Sequence, residues 1–246
     1  MIRAVVFDLD NTLTDFMKMK DRSIDAAVAG MIDAGLTLPA DAAKARMYDI
    51  YQREGIEYQQ VFDTFLRETM GHVDYKLLSA GIVAYRAARD AALVLYPHVQ
   101  LTLLELKKRG IGLAVVSDAP KLQAWLRLAQ LNLSNYFDHV VAFDDTHQRK
   151  PHPAPFRRAL ELLGVEASES LMVGDWAERD MVGAKAIGMR TIFARYGDTF
   201  GTGVSGADWD ATDVLDVVRI VDEINAGAAT GAATGAATGV TTGTRQ

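Results

Sequence analysis

Two aspartates stand two positions apart at the end of an apolar run, Val5-Val6-Phe7-Asp8-Leu9-Asp10-Asn11-Thr12-Leu13. The β-branched and aromatic residues predict a buried strand. Like charges placed close together at its end are costly to bury, and a bound cation is the simplest offset. Hard cations such as Mg²⁺ take the oxygen ligands that carboxylates supply. A plain acidic turn is the competing explanation, since Asp is common in turns. Other residues weigh against it. Ser117-Asp118 closes the apolar run 111–116, and Lys150-Pro151 follows a loop after 139–143. Gly174-Asp175 closes the run 171–173, with Asp180 five positions on. Each has an ordinary reading by itself. Ser117 suits a turn, and Lys150 a solvated surface. Asp175 suits a helix cap, and Asp180 the first turn of a helix. Their arrival at one edge of one sheet is not explained in that way.

A hydroxyl, an amine and several carboxylates together suit phosphoryl transfer, which needs positioning and charge neutralisation above all. A carboxylate can serve as nucleophile and form an aspartyl-phosphate. Mg²⁺ removes the repulsion between the two anions. A hydroxyl and backbone N–H groups hold phosphate oxygens, while a lysine offsets developing charge. A second acid protonates the leaving alcohol and then activates water.

The elements that must position these residues follow from the periodicity. Residues 15–95 carry apolar side chains at helical spacing, such as Ile24, Ala27, Val28 and Met31, and no strand pattern. About four helices are predicted there, broken near 35–39, Gly55 and Gly71. A helix follows Pro97 and ends at Gly110. Strands at 111–116, 139–143, 171–173 and 191–194 then alternate with helices at 121–131, 154–163, 179–187 and 214–224. That rhythm predicts an α/β fold with a doubly wound parallel sheet and an inserted helical cap. Ligands of such sheets bind beyond the C-terminal strand ends. The expected domains are a core of 1–15 and 96–225, a cap of 16–95, and a tail of 226–246. The tail repeats Gly-Ala-Ala-Thr three times without a bulky anchor and is expected to be disordered.

Composition narrows the function. The chain has 246 residues, a formal net charge of −6 and 49% hydrophobic residues. No basic excess exists to neutralise nucleic acid or an anionic membrane. There is no cysteine, hence no disulfide, thiolate metal site or Cys nucleophile. No run is long enough for a transmembrane helix, and no signal-peptide pattern precedes the first strand. A cytoplasmic protein is expected.

Asp8-Leu9-Asp10-Asn11-Thr12-Leu13, Ser117, Lys150-Pro151 and the stretch from Gly174 to Asp180 resemble, in order, the four motifs of the haloacid-dehalogenase-like (HAD) hydrolases. The resemblance spans residues 1 to about 220, and the helical insert looks like that superfamily's cap. The cap's second half and Arg195-Tyr196-Gly197 resemble the archaeal-type glyceraldehyde 3-phosphate phosphatase branch. The chain is also similar to the N-acylneuraminate-9-phosphatase branch. The resemblance implies a Rossmann-like core and Mg²⁺-dependent hydrolysis of a small phosphorylated metabolite. It implies Asp8 as nucleophile and metal ligand, and Asp10 as general acid/base with its carbonyl on the metal. Ser117 and the backbone at Asp118 would hold phosphate, and Lys150 would orient Asp8 and phosphate. Asp175 would be the third metal ligand, Asp180 would hold Lys150 or a metal-bound water, and Thr12 would stabilise the turn. Asp118-Ala119 departs from a common Asn-Gly.

A haloacid dehalogenase shares the fold but does not need Asp10. A phosphosugar mutase shares the aspartyl-phosphate and differs in excluding water from it. A phospho-accepting signalling module also pairs acids, a hydroxyl and a lysine on such a sheet, at about half this length and without an insert. For substrate selection, Phe16, Met17 and Lys20 lie near the expected cap entrance, with Tyr58, Gln59 and Phe62 further in.

Overall fold

The computed structural model describes residues 1–236. In chain order the elements are β1 (Ala4–Phe7), α1 (Phe16–Asp33), α2 (Ala40–Glu54), α3 (Val61–Met70), α4 (Tyr75–Ala92), α5 (Val99–Lys108), β2 (Gly112–Val116), α6 (Lys121–Gln130), β3 (His139–Val141), α7 (Phe143–Thr146), α8 (Pro153–Leu163), β4 (Ser170–Gly174), a π-turn (Ala177–Met181), α9 (Val182–Lys185), β5 (Arg190–Ala194), β6 (Trp209–Ala211) and α10 (Asp216–Ala236). The chain divides into two compact units. One comprises Met1–Leu13, Tyr96–Asp118 and Asn135–Gln246, the other Thr14–Leu95 and Ala119–Ser134.

The first unit holds one parallel sheet of six strands, ordered β3-β2-β1-β4-β5-β6. β1 lies inside it, with Phe7 opposite Val115 on β2 and Val173 on β4. All four β1 side chains are buried, as expected of a parallel strand covered on both faces. Period-two alternation divides them. Val6, Ala114, Val116, Met172 and Phe193 share a core with Phe156, Ala159 and Leu160 of α8 and Ala184 of α9. The order reverses at β1, because β2 follows on one side and β4 on the other. Ligand crevices of doubly wound sheets open at such a reversal.

Four local details differ from the sequence reading. β6 was not predicted, because a three-residue edge strand carries too few positions for a period to register. The strand expected over 139–143 stops at Val141, and Phe143 opens α7. There Asp145 accepts from the Ala142 N–H at 2.9 Å, an N-terminal helix bond that competes with strand pairing. The helix expected over 179–187 begins instead as the π-turn at Ala177. In the stretch expected to be disordered, α10 continues to Ala236. Ala-rich sequence prolongs a helix that is already nucleated. The rest of that expectation, 237–246, lies outside the described residues.

The second unit is helical. Ile24, Ala27, Val28 and Met31 of α1 form one core with Met47 and Ile50 of α2, Phe65 and Leu66 of α3 and Leu77 of α4. Asp15 caps α1 through the Lys18 N–H, and Asp74 caps α4 through the N–H groups of Lys76 and Leu77. α6 groups with this unit, outside the 16–95 expected for the insert. Its Arg127 pairs with Glu57, and its Gln130 donates to the Asp90 carbonyl at 2.9 Å.

Candidate active site

Asp8 is the first residue beyond β1. Its N–H donates to the Val173 carbonyl at 2.8 Å, which ties the strand end to β4. The chain then turns sharply through Asn11, whose φ of 58° is left-handed, a region Asn tolerates better than most residues. Gly197 presses against this turn. A Cβ there would stand 1.6 Å from the Asn11 carbonyl oxygen, so only glycine fits. Beside it the Tyr196 hydroxyl donates to the Thr12 carbonyl at 2.9 Å. Local sequence did not single out Tyr196 or Gly197 for this purpose. Both act by contact with a turn remote in the chain.

Three carboxylates, from Asp8, Asp175 and Asp180, present ligand atoms within 4.8 Å of one another, and all three residues are buried. The Lys150 ammonium lies among them, donating to Asp180 Oδ1 at 2.6 Å and to Asp8 Oδ1. The Thr12 hydroxyl stands 3.1 Å from Asp175 Oδ1 and 3.4 Å from Asp8 Oδ2. It has one proton, so it serves one of them at a time. The Trp176 N–H donates to Asp180 Oδ2 at 3.1 Å. Gly174 makes room for that carboxylate, since a Cβ there would fall 2.4 Å from Asp180 Cγ.

The electrostatics follow from burial and crowding. Burial, with the Asp8 and Asp180 charges added, pushes the Asp175 carboxyl up to about 9. Burial also pushes Asp180 up, to about 7, against the pull of Lys150. For Lys150, burial alone would lower the ammonium; the charges of Asp180 and Asp8 outweigh it and hold the group above its usual range. A pocket whose carboxylates hold protons so far above their ordinary range has excess negative charge. Hard oxygen donors crowded in this way suit a divalent cation, which would take the place of the proton.

The structure thus brings together Asp8, Thr12, Lys150, Asp175 and Asp180. Ser117 is buried just past β2, its N–H donating to the Val141 carbonyl at 2.9 Å. Asp118 accepts from the Lys150 N–H at 2.9 Å and from Arg179 Nη1 at 3.0 Å. Asp10 is half-buried and its carboxylate is not one of the three in the cluster. In the helical unit, Phe16, Lys20 and Gln59 line a cavity of about 480 Å³ together with Tyr85 and Arg127. Phe62 packs edge-on to Tyr85 in that unit's core, and the Tyr58 hydroxyl bonds to Thr64 at 3.1 Å. Among the described residues no helix is long and apolar enough to cross a membrane.

A family model of haloacid dehalogenase-like hydrolases matches residues 2–188. A glyceraldehyde 3-phosphate phosphatase of Pyrococcus abyssi is 33% identical over 197 residues, covering 80% of this chain and 83% of the relative. A phosphoglycolate phosphatase of Neisseria gonorrhoeae is 32% identical over 206 residues, covering 82% of each. Among solved structures, a HAD phosphatase from Thermococcus onnurineus superposes with a TM-score of 0.68 at 27% identity, over 89% of this chain and 98% of that one. The sheet order, the carboxylates at its C-terminal edge and these matches agree: the chain belongs to the haloacid dehalogenase-like hydrolases, as an enzyme of their phosphatase type.

Proposed function

We propose that this enzyme hydrolyses the phosphomonoester of a small metabolite through an aspartyl-phosphate on Asp8, with Mg²⁺ as cofactor. The reading is carried by one observation, a buried lysine bonded to Asp8 beside the Asp175 carboxylate at the C-terminal edge of β1 and β4. Asp8, Asp175 and the main-chain carbonyl of Asp10 would hold the ion. When bound, Mg²⁺ neutralises phosphoryl oxygens and removes their repulsion from the carboxylate nucleophile.

The residues then divide the work. A carboxylate oxygen of Asp8 attacks phosphorus, and the bond from phosphorus to the leaving oxygen breaks. Asp10 gives that oxygen its proton. Water next attacks the phosphorus of the aspartyl-phosphate, Asp10 takes its proton, and phosphate leaves the restored Asp8 carboxylate. Ser117 and the backbone at Asp118 hold phosphate oxygens, while the Lys150 ammonium offsets charge that develops on them. Asp180 keeps Lys150 in place, and Thr12 steadies the turn after the nucleophile.

The relatives named above are phosphatases of short phosphorylated carbon chains, and the substrate is proposed to belong to that class. The test is release of para-nitrophenol from para-nitrophenyl phosphate with Mg²⁺ and with EDTA, followed by a panel that includes glyceraldehyde 3-phosphate and phosphoglycolate. Turnover that EDTA abolishes is expected. Asp8→Asn should lose at least about a thousandfold in kcat with its fold intact, since an amide is a poor nucleophile. Asp10→Asn should accumulate the phosphorylated enzyme. Near-normal turnover by Asp8→Asn refutes the assignment, and stable phosphorylation of the wild type without turnover points to a signalling module instead.

A further inference from the structure

The roles given to Asp118 above use only its backbone, yet its side chain is the junction of a closed circuit. Asp118 Oδ1 accepts the main-chain N–H of Lys150 at 2.9 Å. Asp118 Oδ2 accepts from Arg179 Nη1 at 3.0 Å. The Arg179 guanidinium lies 3.6 Å over the Trp176 ring, which also meets Phe200 with ring centroids 4.5 Å apart and donates from Nε1 to Glu178 at 3.0 Å. The Trp176 main-chain N–H donates to Asp180 Oδ2 at 3.1 Å, and Asp180 Oδ1 accepts from the Lys150 ammonium at 2.6 Å. Starting at the backbone of Lys150, the contacts return to the tip of its own side chain.

We propose that Asp118, Arg179 and Trp176 are positioning residues that clamp Lys150 at both ends and so aim its ammonium at Asp8. The physical need is plain. A lysine ammonium is a point charge on a flexible four-carbon stem. The stem must be fixed at its root and its tip if the charge is to meet one carboxylate oxygen. Asp118 fixes the root and Asp180 the tip. Arg179 joins the two anchors because a planar guanidinium can stack by its face and donate from its edge at once. Lysine at 179 could keep the charge but not both contacts. The Asp118 charge also reaches the Lys150 ammonium, adding to the pull that keeps it protonated. The sequence departure at Asp118-Ala119 thereby acquires a function, since a carboxylate there can accept from two donors at once, which an Asn could not do while presenting its amide nitrogen to Arg179.

This inference rests on the phosphatase reading, and its test separates the two. Steady-state kinetics on para-nitrophenyl phosphate with Mg²⁺ are measured for the wild type, Asp118→Ala, Asp118→Asn, Arg179→Met, Arg179→Lys and the double variant D118N/R179Q. Asp118→Ala is expected to lower kcat about thirtyfold with KM changed less than about twofold, the pattern of a misaimed group rather than lost binding. Arg179→Met and Arg179→Lys should both fall about tenfold. D118N/R179Q rebuilds a donor–acceptor pair without charge and should recover at least about fivefold over D118N alone. A kcat for Asp118→Ala within about twofold of wild type overturns the proposal. So does a fully active Arg179→Lys, which would show that charge alone suffices, or a double variant no faster than D118N. If Asp118→Ala does not fold, the two Arg179 variants decide by the same criteria. A wild type without turnover defeats the phosphatase reading instead. The clamp is then judged by crystal structures of the wild type and Arg179→Met: Lys150 leaving Asp8 or Asp180 in the variant upholds it, and Lys150 unmoved overturns it.

Discussion

Each of the two units buries a lysine, and both lysines are 5% exposed. In the sheet unit, Lys150 is set among carboxylates and bonded to Asp8 and Asp180. In the helical unit, Lys20 lies over aromatic faces, 4.1 Å from the Tyr51 ring centroid and 5.6 Å from that of Tyr85. Aromatic faces stabilise an ammonium modestly and from one direction. Carboxylates stabilise it strongly, but each brings a charge that must itself be kept from water. The first arrangement suits a packed helical core. The second suits the mechanism proposed above, in which the groups that hold the lysine would also meet phosphate and a cation.

Replacing each lysine by methionine sharpens this contrast, and Lys150→Met should have the largest effect. It leaves buried acids uncompensated, so stability should drop by about 3–5 kcal/mol in urea titrations near neutral pH, with kcat down at least about a hundredfold. Lys20→Met should cost less than that, with the lost cation–π contacts contributing about 1–2 kcal/mol. Equal losses from the two would erase the distinction between the units.

Next in size is Gly197→Ala. The added Cβ would meet the Asn11 carbonyl at 1.6 Å, and backbone cannot swing aside as a side chain can. Calorimetric unfolding should show a loss of about 2–3 kcal/mol. Because the displaced turn carries Asp10 and Thr12, kcat should fall about a hundredfold as well. Wild-type activity in this variant would show that the turn can shift without consequence.

A smaller effect concerns pH. Unfolded, Asp175 and Asp180 release protons near 3.8; folded, they keep them to about 9 and about 7. Between those limits the folded chain binds more protons, so stability falls as pH rises. Metal-free protein should therefore lose Tm from about pH 5.5 to about pH 8.5, and added Mg²⁺ should restore more at the upper end, where the proposed ligands are already deprotonated. A Tm that rises over this interval without metal contradicts the crowding described at the sheet edge.

The smallest expected change lies in the helical unit. Asp74→Ala removes the side-chain cap of α4 and should cost about 1 kcal/mol in urea unfolding. A loss several times larger would mean that this unit tolerates disturbance no better than the sheet edge.

Much of the site can be read from the chain because its parts are local. A strand buried on both faces is a run of Val, Leu and Phe, and a charge that ends such a run has to be explained. Asp8, Ser117 and Asp175 stand out for that reason, and they do lie at the ends of β1, β2 and β4. For Asp180 the family resemblance implies a bond to Lys150 or to a metal-bound water, and the structure has the Lys150 contact at 2.6 Å. What remained hidden was contact between distant segments. Nothing in the spacing says that Arg179 reaches Asp118, that Gly197 abuts Asn11, or that α6 groups with the helices of 14–95. The short strand β6 was invisible because its pairing with β5, rather than its own three residues, makes it a strand.

By itself the order of residues determined the alternation of strands and helices, the polar residues at strand ends and their chemical kind. These depend on periodicity and burial, which neighbouring residues already express. Tertiary structure alone decided the strand order, the meeting of one lysine with two of three crowded carboxylates, and the circuit that braces it. Those are set by packing between segments more than a hundred residues apart in places, as Lys150 is 142 positions from Asp8. Distance in space between such segments is fixed by the shared core they bury, and no local pattern encodes it.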